Sequence, residues 1–208
     1  MNNILIHGLG QNNRDWDTIK TVLEARGISS IAPDLFDLAR GRKLDYPTVY
    51  QAFSELCESY QDKLNLCGLS LGGLLALNYA IQYPKKINSL VLIGTPFEIP
   101  KGLLKFQNIV FRFMPKAVFQ NMGVSKKDFI RLSKSMVDLN FMDSATALDC
   151  PALILCGAKD KTNMESAKRF HEAMKNSKLV IVEASGHEVN KDNPNELVRV
   201  LQDFWADR

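Results

Sequence analysis

The chain has little of what marks membrane, secreted or nucleic-acid-binding proteins. Its 208 residues contain no apolar run approaching the roughly 20 that cross a bilayer. A net charge of +3 is too small to indicate nucleic-acid binding. The N-terminus lacks a basic segment and a cleavage site of the secretory type, and the four cysteines show no C-x-x-C spacing. We therefore expect a cytoplasmic protein with reduced thiols, no membrane span and no nucleic-acid partner.

Apolar residues follow two alternating patterns, in a chain of suitable length for one domain. The apolar fraction of 46% is enough for a continuous core. Short, near-continuous apolar runs are typical of strands covered on both faces, and they lie at Ile4–His7, Ile28–Ala32, Leu64–Gly68, Ile87–Ile93, Ala152–Cys156 and Leu179–Val182. Stripes of helical period alternate with them, at Trp16–Leu23, Val49–Tyr60, Leu74–Ile81, Met164–Met174 and Leu197–Phe204. The alternation predicts an α/β fold with a doubly wound parallel sheet of about six strands.

One segment, residues 96–148, interrupts this alternation. It shows no strand pattern, but the stretch from Phe97 to Leu148 holds seven phenylalanines and four of the seven methionines. We expect about two to four helices inserted after the fourth strand, because compact domains rarely need so long a crossover. The core would then comprise residues 1–95 and 149–208. The alternative is an ordinary, longer helical connection.

The most informative motif is G-L-S-L-G at residues 68–72. It follows the apolar run that starts at Leu64 and precedes the helical stripe that starts at Leu74. A strand, a sharp turn and a helix with serine at the apex form a nucleophile elbow, where small neighbours let strand and helix approach. The same five letters also occur by chance as a plain glycine turn. Because a strand and a helix flank the motif, Ser70 is the candidate nucleophile.

A serine nucleophile needs an adjacent base, and the chain has only three histidines. His171 lies on the stripe of a predicted helix and fits a packed or partly exposed helix residue better than a catalyst. His7 ends the first predicted strand, where we expect hydrogen bonds within the following loop. His187 follows the last predicted strand, at the sheet edge where open α/β folds place ligand chemistry. His187 is therefore the candidate base.

The candidate acid is Asp160, which follows the fifth predicted strand in G-A-K-D at residues 157–160. A catalytic histidine needs an acid that holds its second nitrogen in the right tautomer. The alternative is that Asp160 caps the helix starting near Met164, a role open to many loop aspartates. The order Ser70, Asp160, His187 is that of α/β-hydrolase triads, which favours the catalytic role.

The motifs together resemble the α/β-hydrolase fold superfamily over nearly the whole chain. They are H-G-L-G at residues 7–10 with Trp16 following, G-L-S-L-G, G-A-K-D, and G-H at residues 186–187. The resemblance implies an oxyanion hole made by the backbone N–H groups of Leu71 and Leu9. It also implies that residues 96–148 form a helical cap over the active site. One departure lies after Asp34, where the glycine-rich motif of many relatives is missing and the entrance loop stays undefined.

These features predict a serine hydrolase that cleaves a small or medium carboxylic ester through an acyl-enzyme. No cofactor is required, and the sequence shows no cluster of metal ligands. The alternatives are an acyl thioesterase and a slow-turnover ligand-binding homologue, because the fold alone does not settle function. A cap rich in Phe and Met would offer an apolar lining, although most of these residues are expected to bury the cap on the core.

Segment 96–148 also has an excess of positive charge. Its basic residues outnumber its acidic ones, with Lys101, Lys105, Arg112, Lys116, Lys126, Lys127, Arg131 and Lys134 against Glu98, Asp128, Asp138 and Asp143. Such runs are usually solvated helix faces. The sharper hypothesis is that they attract a small anionic acyl substrate. The sequence leaves the oligomeric state open.

Overall fold

A single sheet of six parallel strands forms the centre of the protein. The computed structural model describes residues 2–97, 111 and 114–206. The strands are β1 (Asn2–Ile6), β2 (Ser30–Ile31), β3 (Leu64–Leu69), β4 (Ile87–Ile93), β5 (Ala152–Gly157) and β6 (Ser177–Val182). The predicted α/β class with a six-stranded parallel sheet is confirmed.

The order of the strands places a reversal next to β1. The sheet reads β2-β1-β3-β4-β5-β6, so the chain adds β2 on one side of β1 and the later strands on the other. Open α/β sheets bind ligands outside the carboxyl ends of the strands at such a reversal. The loops that follow β1 and β3 therefore meet where a ligand site is expected.

Helices cover both faces of the sheet. On one face Phe53 and Leu74 belong to the larger core cluster, and on the other Ile19 and Leu201 belong to a second one. Successive strand residues alternate between these clusters, as the pleat of a strand requires. In the described residues the helices are α1 (Asp17–Ala25), α2 (Leu35–Leu38), α3 (Tyr46–Glu58), α4 (Leu71–Gln82), α5 (Lys116–Asn121), α6 (Lys126–Ser135), α7 (Met142–Ala145), α8 (Met164–Ala173), α9 (Val189–Asp192) and α10 (Pro194–Ala206).

Two strands differ from the sequence prediction. β2 spans Ser30–Ile31 rather than Ile28–Ala32, because only these two residues pair with β1. β6 begins at Ser177, and its residues 179–181 are only partly buried because β6 is an edge strand. Apolar composition therefore did not distinguish an edge strand from a central one.

The chain between β4 and β5 is helical in its described part. It contains α5, α6 and α7, and the rings of Phe119 and Phe129 are buried in the larger core cluster. The hydroxyl of Ser135 accepts a hydrogen bond from the N–H of Tyr46 at 2.7 Å, which joins α6 to α3. Residues 98–110 and 112–113, with Glu98, Lys101, Lys105 and Arg112, lie outside the described residues. The division into a core and a cap of residues 96–148 stays a prediction.

Glycines let the first turn of α4 lie directly against the sheet. A Cβ at Gly68 would come within 2.2 Å of the Gly72 carbonyl carbon, and one at Gly72 within 2.2 Å of the Ile6 carbonyl oxygen. A Cβ at Gly73 would meet the Thr95 hydroxyl at 1.9 Å. Backbone atoms on both sides cannot move away as a flexible side chain would. The passage from β3 to α4 therefore accepts no side chain at Gly68 or Gly72.

His7 connects the loop after β1 to α2, the short helix that the sequence left undefined. Its Nδ1–H donates to the Gly8 carbonyl at 3.0 Å, the local bond predicted for it, and its Nε2 accepts from the Leu35 N–H at 3.0 Å. These two bonds define a neutral ring with the proton on Nδ1. His7 is fully buried, and burial lowers its pKa, although the nearby Asp34 carboxylate opposes that effect.

We expect Gly68→Ala to destabilise the fold far more than Gly27→Ala. Gly27 has a φ of +77° and no atom within 4 Å of an added Cβ, so alanine there costs about 1–2 kcal/mol of backbone strain. Gly68→Ala adds a backbone collision, and overpacking costs typically about 1–3 kcal/mol or more. Urea denaturation of both variants measures the difference. Equal losses would mean that the strand-helix passage tolerates a side chain.

We expect His7 to make stability depend on pH. Because burial lowers the folded-state pKa of His7, its contribution is complete above the unfolded value of about 6.5 and is lost as pH falls through the folded-state pKa. The unfolding free energy of the wild type should therefore decrease from about pH 6.5 downward, and His7→Gln should flatten that slope. Urea unfolding at a series of pH values measures it.

The exposed His171 provides the matched control for this experiment. His171→Gln should retain the slope of the wild type, because its side chain lies exposed on the surface. A His7→Gln protein with the full wild-type slope would show that another group is responsible.

Candidate active site

Ser70 occupies the sharp turn between β3 and α4. Its backbone has φ 53° and ψ −109°, a conformation that a non-glycine residue rarely adopts. Such strain costs of the order of 1–3 kcal/mol and persists only where surrounding contacts enforce it. Here the Ser70 N–H donates to the Ile93 carbonyl at 2.9 Å. The close packing at Gly68 and Gly72 prevents the turn from relaxing to another backbone conformation. Ser70 is partly exposed at the carboxyl edge of the sheet.

Asp160 and His187 form a hydrogen-bonded pair near this edge. The Nδ1–H of His187 donates to the Asp160 Oδ2 at 2.7 Å. The Asp160 side chain is only 5% exposed, whereas that of His187 is 41% exposed. A proton on Nδ1 leaves Nε2 as the acceptor nitrogen of a neutral ring. The pair therefore has the orientation that a carboxylate-supported general base requires.

The environment of Asp160 keeps its carboxylate ionised. Burial would raise the pKa of Asp160, but hydrogen bonds from His187 and Asn163 outweigh burial and hold the pKa below its usual value. The alternative role considered for Asp160, capping the next helix, is also present in the geometry. Asp160 Oδ1 accepts from the Asn163 N–H at 3.3 Å and the Asp160 carbonyl accepts from the Met164 N–H at 3.1 Å, at the start of α8. The same carboxylate accepts from His187 and from the Asn163 side-chain amide.

Two adjoining loops hold this pair. The Lys159 N–H donates to the Ser185 carbonyl at 2.9 Å, which joins the loop after β5 to the loop after β6. A Cβ at Gly157 would lie 2.1 Å from the Gly186 carbonyl oxygen, so the loops are in backbone contact. The Gly186 N–H also donates to the Asp192 carboxylate at 2.7 Å, which ties the histidine loop to α9.

The end of β4 is the common neighbour of Ser70 and the Asp160–His187 pair. Ile93 binds the Ser70 N–H, and the next residue, Gly94, faces the pair. A Cβ on Gly94 would lie 3.0 Å from His187 Nδ1 and 3.2 Å from Asp160 Oδ2. Between these described residues no direct hydrogen bond joins the Ser70 hydroxyl to the imidazole. The structure thus places all three predicted residues at one sheet edge and joins two of them directly.

The loop after β1 lies against the serine turn. A Cβ at Gly8 would be 3.5 Å from the Ser70 Cβ and 3.3 Å from the Leu69 carbonyl oxygen. Leu9 follows in the chain, and Leu71 is the first residue of α4, whose first N–H groups lack partners within the helix. The loop that carries Leu9 therefore lies close to Ser70, which Leu71 follows directly in the chain.

Sequence reasoning missed a group of amides around the site. Asn163 Nδ2 contacts the Asp160 carboxylate, and the buried Gln11 Nε2 donates to Glu188 at 2.9 Å and to Asn190 at 3.2 Å. Gln11 thereby links the loop after β1 to the loop that carries His187. Its partners are 177 and 179 positions away, so no local pattern could indicate them. Asn163 lies three residues after Asp160, and that spacing was the one available signal.

No helix among residues 2–97, 111 and 114–206 is both long and apolar enough to span a membrane. The exposed His171, the third histidine, binds Ser177 through its Nδ1 at 2.9 Å. It is a surface residue of α8 and takes no part in the arrangement around Ser70.

Comparison with known proteins finds similar sequences and a similar fold. The chain is 27% identical to Lipase 3 of Moraxella sp. in an alignment of 238 positions, gaps included, that covers 93% of this chain and 75% of that protein. It is 25% identical to the 2-hydroxy-6-oxo-2,4-heptadienoate hydrolase of Pseudomonas putida in an alignment of 247 positions that covers 98% of this chain and 88% of that protein. Among solved structures, a carboxylesterase of Nitrososphaera gargenis superposes with a TM-score of 0.85 at 20% identity, covering 99% and 90% of the two chains.

At these identities the relatives show the fold and the broad enzyme class. The family model for the alpha/beta hydrolase fold matches residues 4–130, more than half of the sequence. The chain therefore belongs to the alpha/beta hydrolase fold family.

Proposed function

We propose that the protein is a serine hydrolase that cleaves a small or medium carboxylic ester. The observation that carries the proposal is the 2.7 Å hydrogen bond between His187 and a buried, ionised Asp160 at the sheet edge where Ser70 is strained. A serine nucleophile requires a base that an acid holds in the right tautomer. In this proposal Ser70 is the nucleophile, His187 the base and Asp160 the orienting acid.

The reaction proceeds in two halves. Ser70 Oγ attacks the acyl carbon while its proton passes to His187 Nε2, and the leaving alkoxide then takes that proton as the ester bond breaks. A water molecule attacks the resulting acyl-enzyme while its proton passes to His187 Nε2, and His187 returns that proton to Ser70 Oγ as the bond to the acyl group breaks and the acid is released. The backbone N–H groups of Leu71 and Leu9 would stabilise the oxyanion of each tetrahedral intermediate. No group in this sequence of steps requires a metal or an organic cofactor.

The surroundings of the loop after β1, which carries Leu9, support an apolar acyl group in the substrate. Met122, just after α5, has its methyl carbon 3.9 Å from where a Cβ would sit on Gly10. Thioether side chains adapt to ligands of different shape. Relatives named as a lipase and a carboxylesterase support the same bond type. The helical segment 96–148 would act as a cap that provides this lining, while its buried rings, such as Phe119 and Phe129, attach it to the core.

We expect Ser70→Ala to lose at least ~10⁴-fold in turnover, because the nucleophile is removed. Asp160→Asn should lose about 10⁴-fold through the wrong imidazole tautomer. Turnover is measured with p-nitrophenyl esters from acetate to octanoate and with the matching thioesters.

We expect esters to be cleaved faster than thioesters. Faster cleavage of thioesters would identify the alternative, an acyl thioesterase.

A fluorophosphonate probe distinguishes an enzyme from a ligand-binding homologue. The wild type should be labelled rapidly, Ser70→Ala should not be labelled, and Ser59→Ala should behave as wild type. Ser59 is a suitable control because its hydroxyl is exposed and binds the Leu56 carbonyl, away from Ser70. Labelling of Ser70→Ala at the wild-type rate would refute the assignment, and an inert wild type would favour a binding protein.

The excess of basic residues in segment 96–148 would attract an anionic ester through long-range electrostatics. We expect kcat/KM for a carboxylate-bearing ester to fall with added NaCl, while that of a neutral ester of equal length does not. Lys127 and Lys134 are exposed on α6, so the double variant Lys127→Glu, Lys134→Glu should weaken the salt dependence. Equal salt dependence of both esters would mean that the basic residues form a solvated surface and do not attract the substrate.

A further inference from the structure

Asn163 contacts both members of the Asp160–His187 pair. We propose that Asn163 is a positioning residue, whose side-chain amide shares the Asp160 carboxylate with His187 and so holds the imidazole in its working orientation. The inference rests on the proposed function, in which His187 is the base. Nothing in the motifs that identify the family assigns a role to this position.

The contacts of Asn163 are directional. Its Nδ2 lies 3.0 Å from Asp160 Oδ1 and 2.9 Å from Oδ2, and its backbone N–H donates to Oδ1 at 3.3 Å. Only the orientation with the amide nitrogen toward the carboxylate satisfies both groups, because two oxygens would repel. Together with His187 Nδ1–H, these donors contact both carboxylate oxygens and restrict rotation of the carboxylate.

The distance of 3.2 Å between Asn163 Nδ2 and His187 Nδ1 is a contact between two donors. Both N–H groups point to the same carboxylate, so neither nitrogen accepts from the other. The amide therefore closes off the side of the imidazole next to Nδ1.

The helix that begins after Asn163 does not explain where its side chain points. Asn163 is the N-cap residue of α8, where asparagine is strongly preferred because its oxygen accepts from an early helical N–H. Here the side chain makes no capping hydrogen bond. The first N–H of α8, that of Met164, donates to the backbone carbonyl of Asp160 at 3.1 Å, and the Asn163 N–H donates to Asp160 Oδ1 at 3.3 Å. Asp160 therefore caps the start of α8, and the Asn163 amide contacts the carboxylate without a capping role of its own.

The electrostatic setting makes this donor important. Asp160 is almost fully buried, and burial alone would raise its pKa, whereas His187 and Asn163 lower it. The thiol of Cys156, on β5, is the other titratable neighbour, and burial raises its pKa to about 12, so it stays neutral. Asn163 is therefore one of only two side chains in the described residues that donate hydrogen bonds to the Asp160 carboxylate.

The first test is Asn163→Leu, which keeps the number and branching of the side-chain heavy atoms and removes the donor. We expect kcat for the ester to fall roughly tenfold to hundredfold, the factor that accompanies loss of a hydrogen bond to a charged group, with KM changed less than about twofold. Asn176→Leu is the matched control, because Asn176 also donates from Nδ2, at 2.8 Å to the exposed Asp149 carbonyl. Asn176→Leu should leave kcat unchanged. An Asn163→Leu protein with lower thermal stability but wild-type kcat would overturn the proposal.

The second test exchanges the two side chains. Asp160→Asn should lose most of the activity, whereas Asp160→Asn with Asn163→Asp places a carboxylate at the position now 3.2 Å from His187 Nδ1. We expect the double variant to regain at least ~10-fold over Asp160→Asn, since an acceptor for Nδ1–H is restored. A purely structural role of Asn163 predicts no recovery, and an absence of recovery in a folded double variant would count against the proposal.

A third measurement does not depend on activity. In Ser70→Ala protein, nitrogen NMR of His187 should show the Nδ1–H tautomer, and adding Asn163→Leu should increase the share of the Nε2–H tautomer. An unchanged tautomer ratio would contradict the positioning role. If the wild type neither cleaves esters nor reacts with the probe, the proposed hydrolase function fails, while this spectrum still tests the contact of Asn163 with the pair.

Discussion

Close approach of backbone to backbone at the carboxyl edge of the sheet is the constraint on which the site depends. At Gly68, Gly72 and Gly157 an added Cβ would come within about 2.2 Å of carbonyl atoms of a neighbouring segment, well inside contact distance. These approaches press the start of α4 against β1 and the histidine loop against the acid loop. The strained backbone of Ser70 persists because its neighbours have no room to relax.

This packing also determines the electrostatics. A carboxyl group as buried as that of Asp160 would ordinarily favour its neutral form, and a neutral acid would accept the imidazole N–H more weakly than a carboxylate does. Hydrogen bonds from His187 and Asn163 reverse that preference. For His7, at the same edge, burial is the larger effect, because it lowers the pKa and keeps the ring neutral. One ring nitrogen donates to a backbone carbonyl and the other accepts from a backbone N–H. Two histidines in one small region thus have distinct roles set by their partners.

Much of the architecture could be predicted from periodicity alone. The helical stripes correspond to α1, α3, α4, α8 and α10. Short elements were missed, since α2 and α9 are single turns that leave no periodic trace. The length of β2 and the exposure of β6 depend on neighbouring strands, which the local sequence does not contain.

The sequence by itself determined which side chains are candidates for the site, because G-L-S-L-G, G-A-K-D and G-H each lie at the end of a strand, and parallel strands end at one edge. Only the tertiary structure decided how they are paired. The 2.7 Å bond of His187 to Asp160, the direction of the Asn163 amide and the link from Gln11 to Glu188 join residues on different loops. Distances between such residues are set by the packing of the whole sheet edge, and a linear pattern carries no record of them.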